Sequence, residues 1–126
     1  MTNDEGGTML TRLTREAILG ARDRETVEVA VPEWGGTVLV RGLSAGQKDD
    51  FELSVIGPLG GERNLANLRA RLCARCMVDA DGQPLFGEVD VAALGERSAA
   101  AIERVFNAAR RLSGMSDADV AELAKN

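Results

Sequence analysis

Histidine and tyrosine are absent from this 126-residue chain, and lysine nearly so: Lys48 and Lys125 are the only two. Without histidine there is no Ser-His-Asp or Cys-His catalytic set, and most zinc enzymes are excluded. Aromatic residues are scarce as well, with one tryptophan and three phenylalanines. Long apolar runs are missing; none approaches the roughly 18 residues of a membrane span. The first residues, MTNDEGGT, are polar and acidic and do not form a signal peptide. A cytosolic chain with reduced cysteines is the expectation. Positive charge is also short, with 15 basic against 20 acidic residues and a net charge of -5. This argues against nucleic acid as a partner, because phosphate contacts need clustered positive charge.

What is present suits one α+β domain. Hydrophobic residues make up 44% of the chain, enough for a modest core and too many for a disordered segment. Residues 1–10 read as a disordered lead and residues 11–126 as a single domain. A short helical stretch, TRLTREAILGA, places Leu13, Ala17 and Ile18 on one side, with Gly20 as its stop. The period then changes to two. Val27, Val29 and Val31 alternate with Glu28 and Ala30, and after PEWGG the apolar alternation resumes from Thr37 to Arg41. This predicts a β-hairpin over about 26–41, packed on a small helical bundle. A four-residue loop over 32–35 sets Val31 opposite Gly36, Val29 opposite Val38 and Val27 opposite Val40. Five valines then share one face. A five-residue loop would pair Val27 with Arg41 and turn every side chain over.

The rest reads as helix. Ser44 and Gln47 form a capping box ahead of Phe51, Val55 and Ile56, and GPLGG breaks that helix. Asn64 is placed to cap the next helix, in which Leu65, Leu68, Leu72 and Cys76 recur on one face. Arg63, Arg69, Arg71 and Arg75 are expected on its wet side. Glu88 to Leu94 predicts a helical turn or two. Ser98 caps a long helix with Ile102, Val105, Phe106, Ala109 and Leu112 along one side, ended by Gly114. Ser116 opens a last helix whose Asp117 and Asp119 suit the helix dipole.

Three constellations could carry chemistry, and each reads better as structure. Cys73 and Cys76 form a C-x-x-C pair late in a helix, whereas redox pairs usually sit at a helix N-terminus, where the dipole lowers the thiol pKa. Two thiols without histidine do not complete a zinc site. Asp79 and Asp81 resemble the start of a calcium loop, but Pro84 stands at the sixth position, where glycine is needed, and Asp90 at the twelfth, where glutamate is needed. DADGQP is therefore a turn, which could join a short strand at residues 77–78 to another at 85–86. Asp49, Asp50 and Glu52 do not share a helical face and read as a solvated surface. No catalytic, cofactor or metal site follows, and the chain is not expected to be an enzyme. The partner-binding candidates are Glu33 and Trp34 in the hairpin loop, with Leu39 and Arg41 on the second strand. Trp34 either folds back onto the helices or stands out as an aromatic anchor. An open strand edge at Leu39 could pair with a strand from a client or from a second copy.

The stretch ILGARDRETVEVAVPEWGGTVLVRGLSAGQKDDFE resembles the small tail assembly chaperones of long-tailed bacteriophages and prophages. NLRARLCARCMVDADGQPLF and GERSAAAIERVFNAARRLSG continue the likeness, which covers most of residues 16–126 and is sharpest over 31–43. The resemblance implies binding of tail tube subunits and the tape measure protein in the host cytoplasm, with no place in the mature virion and with homo-oligomers as an option. A permanent tail or head–tail subunit, and a small thiol redox factor or enzyme, are the alternatives. The resemblance also implies a longer form made by ribosomal frameshifting near the end of the short frame. Ala124, Lys125 and Asn126 can be encoded as a slippery A AAA AAC run, and peptides continuing in the -1 frame would reveal it.

Overall fold

The computed structural model describes residues 10–57 and 61–125. In chain order these residues form helix α1 (Arg15–Leu19), strands β1 (Thr26–Val31) and β2 (Gly36–Arg41), helices α2 (Ala45–Ile56) and α3 (Leu68–Cys76), strand β3 (Met77–Val78), and helices α4 (Val91–Leu94), α5 (Ala99–Leu112) and α6 (Asp117–Ala124). Of the described residues 51% are helical, and one three-stranded antiparallel sheet lies among them, so the mostly helical α+β expectation holds. The disordered lead expected over residues 1–10 lies outside the described residues except for Leu10, as do residues 58–60 of the GPLGG break. Helix α2 ends just ahead of that break, with Gly57 as its cap.

The hairpin register follows from burial. Val27 pairs with Val40, Val29 with Val38 and Val31 with Gly36, as the four-residue loop requires. That loop is a 3-10 turn over Pro32–Trp34, closed by Gly35 at φ 76°, a left-handed conformation that glycine adopts without a Cβ penalty. Val31 and Val40 are fully buried, while Val27, Val29 and Val38 are half-buried against the same core. Full burial of a valine contributes about 1.5 kcal/mol or more, and one slipped residue would forfeit that on the whole face.

Helix α5 is the centre of the molecule, packing on both the hairpin and α3. Its alanines favour helix. Ser98 Oγ accepts from Ala101 N–H, and Ile102, Val105, Phe106 and Ala109 form its buried stripe. Arg110 and Arg111 in its last turn suit the dipole. At its C-terminal end the hairpin comes very close. A Cβ on Gly42 would lie 2.4 Å from the Leu112 carbonyl oxygen, and Leu43 N–H donates to Ser113 Oγ at 2.9 Å. The capping boxes at Ser44–Gln47 and Ser116–Asp119 are both formed.

Four expectations need correction. Asn64 does not cap α3. Asn67 holds that position in a left-handed conformation, and Asn64 Oδ1 instead accepts from Ala66 N–H. Leu65 therefore precedes the helix and is exposed instead of joining the Leu68–Leu72–Cys76 stripe. Arg71 is not on the wet face but only 5% exposed. Its guanidinium donates to Ala66 O, Ser54 O, Ser54 Oγ and Asn64 O, stitching the end of α2 to the segment before α3. A buried guanidinium persists only when its donors are satisfied in this way. Residues 85–86 form no strand. A single bridge joins Val78 to Pro84, and Leu85 N–H donates to Met77 O at 3.0 Å. Finally, the hairpin does not stand alone: β3 adds to β2, pairing Leu39 with Val78 and Val40 with Met77.

Candidate docking surface

The hairpin turn is tied to the helices through adjacent residues. Glu33 receives both of its close contacts from Arg104 Nε on α5, at 2.9 and 3.1 Å. That hydrogen bond holds the Glu33 carboxyl below its ordinary pKa. Trp34 folds back and packs half-buried against the core, the first of the two positions open to it. Its remaining surface lines a recess of about 390 Å³ with Phe86, Asp90, Ala93, Leu94 and Arg97. Beside that recess in sequence stand Leu85 and Val89, the latter 92% exposed. Asp90 Oδ2 accepts from Gly87 N–H at 2.8 Å and fixes the loop that carries Phe86. The Arg97 guanidinium has no hydrogen-bond or ion-pair partner among the described residues. A half-buried tryptophan with aliphatic neighbours and a free arginine is the composition of a protein-binding hot spot.

Leu39 and Arg41 lie elsewhere. Leu39 is paired on both sides, to Glu28 and to Val78, so the edge expected to be open there is closed by β3. Sheet order β1-β2-β3 leaves the outer edge of β1 without a strand partner among the described residues. Arg41 lines a separate recess with Arg22, Asp23, Arg24 and Thr26 at the far end of the hairpin from Trp34. The four sequence candidates therefore divide into two pairs. Phe86, Leu94 and Arg97 were missed. The sequence places residues 85–86 in a strand, Leu94 ends a helix of only four residues with no stripe long enough to read, and Arg97 lies beyond that helix in the turn before α5. An available signal was Leu85 and Val89, large apolar residues that fit no predicted core face.

The cysteines are sealed. Both are fully buried, and Cys73 Sγ donates to Ile102 O at 3.6 Å. Burial raises the Cys73 pKa strongly and pushes Cys76 up to about 12, the reverse of what a thiolate nucleophile needs. Asp79 Oδ1 accepts from the N–H groups of Asp81 and Gln83, and Gly82 at φ 82° completes the turn. Among the described residues no group of three or more His, Cys, Asp or Glu is placed to hold a metal ion. No helix among them is long and apolar enough to cross a membrane.

An apolar recess presented by a hairpin turn, on a scaffold whose thiols are locked in the core, describes a protein that works through its surface. The family comparison agrees. A family model described as phage tail assembly chaperone matches residues 14–126, and the chain belongs to that family. This is not an enzyme class, and its work is bacteriophage tail assembly. Neither the curated proteins nor the solved structures contain a match to the chain.

Proposed function

We propose that this chaperone binds newly made tail tube subunits and the tape measure protein in the host cytoplasm, keeps them from premature association, and is absent from the finished virion. The observation that carries the reading is the Trp34 recess, where Phe86, Ala93 and Leu94 can take an apolar side chain of a client. Arg97 is free at its edge to meet an acidic group beside that side chain. Glu33 acts here by holding the turn through Arg104. Leu39 and Arg41 belong to a second contact area on the far part of the hairpin. The sealed thiols weigh against the redox alternative.

Capture of purified tube protein and of tape measure fragments by the full chain tests this. Trp34→Ala removes the anchor but also loses packing, so Ala93→Glu is the sharper variant. Ala93 is exposed, and a carboxylate there fills the recess with charge without disturbing the core. At least a tenfold loss of client affinity with unchanged melting temperature is expected for Ala93→Glu, since one charge facing an apolar anchor costs about 1.4 kcal/mol or more. Wild-type capture by both variants would overturn the assignment of the recess. Stoichiometric recovery of the chain in purified virions would overturn the transient role.

A further inference from the structure

Strand β1 is a sheet edge with little of the usual protection. Edge strands are normally blunted by lysine, proline or a bulge, which stop them from templating a further strand. Residues 26–31 read TVEVAV, with Glu28 the one charge, no proline or lysine, and an unbroken register with β2. The ladder shows which backbone groups are free. Gly42 N–H donates to Glu25 O at 3.2 Å, so these two residues are a hydrogen-bonded pair. Such pairs alternate along antiparallel strands, and Val27, Val29 and Val31 therefore bond to β2. The N–H and C=O groups of Thr26, Glu28 and Ala30 point the other way, and all three residues are exposed. None of these groups has a hydrogen-bond partner among the described residues. They form a row of donors and acceptors about 14 Å long.

One end of that row opens on a basic corner of this acidic protein. Thr26 and its cross-strand partner Arg41 join Arg22, Asp23 and Arg24 around a recess of about 400 Å³. Arg24 is fixed by Gly42 O at 3.0 Å and Gln47 Oε1 at 2.8 Å. Partial burial and the neighbouring Arg41 charge hold its guanidinium below the ordinary pKa. Arg22 and Arg41 have no hydrogen-bond or ion-pair partner among the described residues. Gly82 brings the 79–83 turn against Arg41, yet neither Asp79 nor Asp81 is ion-paired with it. Asp23 is the one carboxylate on the wall, facing three guanidinium groups. Two residues along the strand, Glu28 Oε2 accepts from Thr37 Oγ1 at 2.7 Å.

We propose that β1 takes an extended segment of a tail-protein client as a fourth strand, with a carboxylate side chain of that segment seated in the arginine recess. The identity of the occupant rests on the client reading above; the site itself uses neither Trp34 nor its recess. In strand addition the main-chain bonds give affinity and the side chains at alternate positions give selection. Thr26 and Arg41 share a face of the sheet, so the client residue opposite Thr26 points its side chain to the recess and is Asp or Glu. The client residue opposite Glu28 is not acidic, because like charges directly opposite are destabilising. The same rule disfavours a second copy as the occupant. When two β1 strands pair antiparallel over their full length, Glu28 meets Glu28 and each Thr26 meets Ala30, so neither recess receives a carboxylate.

Residue-resolved amide hydrogen exchange of the full chain, with and without purified tube protein or tape measure fragments, is the test. Client should slow the amides of Thr26, Glu28 and Ala30 by roughly tenfold or more, while those of Val27, Val29 and Val31, already bonded to β2, change far less. Two variants accompany it. Ala30→Pro removes an outward N–H and no bond of the native ladder, a change that edge strands accept. Arg22→Glu reverses the charge of an exposed residue that has no partner among the described residues. Client capture should weaken about tenfold for Ala30→Pro and about fivefold for Arg22→Glu, the second loss shrinking as salt is raised. Should Ala30→Pro fail to fold, the exchange pattern and Arg22→Glu still decide. Capture with the three amides unprotected overturns the inference and leaves the client reading standing, whereas no capture at all overturns both. Protection that grows with chain concentration in the absence of client assigns the edge to a second copy and overturns the inference. Undiminished capture by Arg22→Glu overturns the acidic occupant.

Discussion

The N-terminal arm and the valine hairpin are neighbours in sequence and opposites in structure. Both are short and rich in aliphatic residues. In the hairpin, Val31 and Val40 are fully buried beneath α5; in the arm every residue from 10 to 23 is exposed. Local structure forms in both cases, through the Thr14 cap in one and the 32–35 loop in the other. Forming an element and burying it are therefore separate events. The hairpin's valines stabilise the fold because α5 covers them, and the arm's leucines remain available for something outside it.

The contrast breaks most visibly if the hairpin is lifted from α5. Gly42→Ala would place a methyl group 2.4 Å from the Leu112 carbonyl oxygen, where backbone must move. Overpacking of this kind costs about 3 kcal/mol, seen as a lower urea midpoint with an unchanged slope. Next comes Arg71→Met, which keeps much of the apolar stem and removes the donors to Ser54, Ala66 and Asn64. Losing hydrogen bonds from a charged group to buried acceptors should cost about 2–3 kcal/mol, with hydrogen exchange accelerating first around residues 64–67.

The thiols sharpen the comparison with a smaller effect. Their folded pKa values lie above the unfolded value of 9.0, so above that pH the unfolded chain releases protons that the folded chain retains. Stability is complete below pH 9.0 and falls as pH rises towards the folded Cys76 value of about 12. Each thiol contributes a loss of about 1.4 kcal/mol per pH unit within that window. Denaturant titrations at pH 8 and pH 10 measure it, and thiol reagents should react at neutral pH only as fast as the chain unfolds. The smallest effect belongs to the arm. Leu13→Ser and Ile18→Ser should change the unfolding free energy by no more than about 0.5 kcal/mol, because neither side chain is buried. A loss several times larger would show that the arm is part of the fold.

Much of the fold was legible because it rests on local rules. The hairpin register follows from period-two valines and a loop of fixed length. The caps at Ser44, Ser98 and Ser116 need only a hydroxyl three residues from a free N–H. The errors share another origin. Arg71 is buried because carbonyls from two separate segments converge on it, and no helical wheel through α3 contains those carbonyls. The edge at Leu39 is closed by two residues that follow α3, far away in sequence. At the candidate docking surface, Trp34 was identifiable as the sole tryptophan, placed in the hairpin loop. Its partners Phe86, Leu94 and Arg97 were not, because they reach it only once the 85–97 segment packs beside the turn.

The sequence by itself determined most of the elements and their order, the face the valines present, and the chemistry that is unavailable to a chain without histidine. Those properties depend on dihedral preference, hydrophobic period and residue type, all of which act over a few residues. Only the tertiary structure decided that α5 is central, that β2 is an interior strand, that the Cys73 and Cys76 thiols are locked in the core, and that an apolar recess opens beside Trp34 while an apolar arm is left uncovered. Each of those outcomes depends on which distant surfaces meet, and burial, with the desolvation it imposes, is a property of the meeting and not of either segment alone.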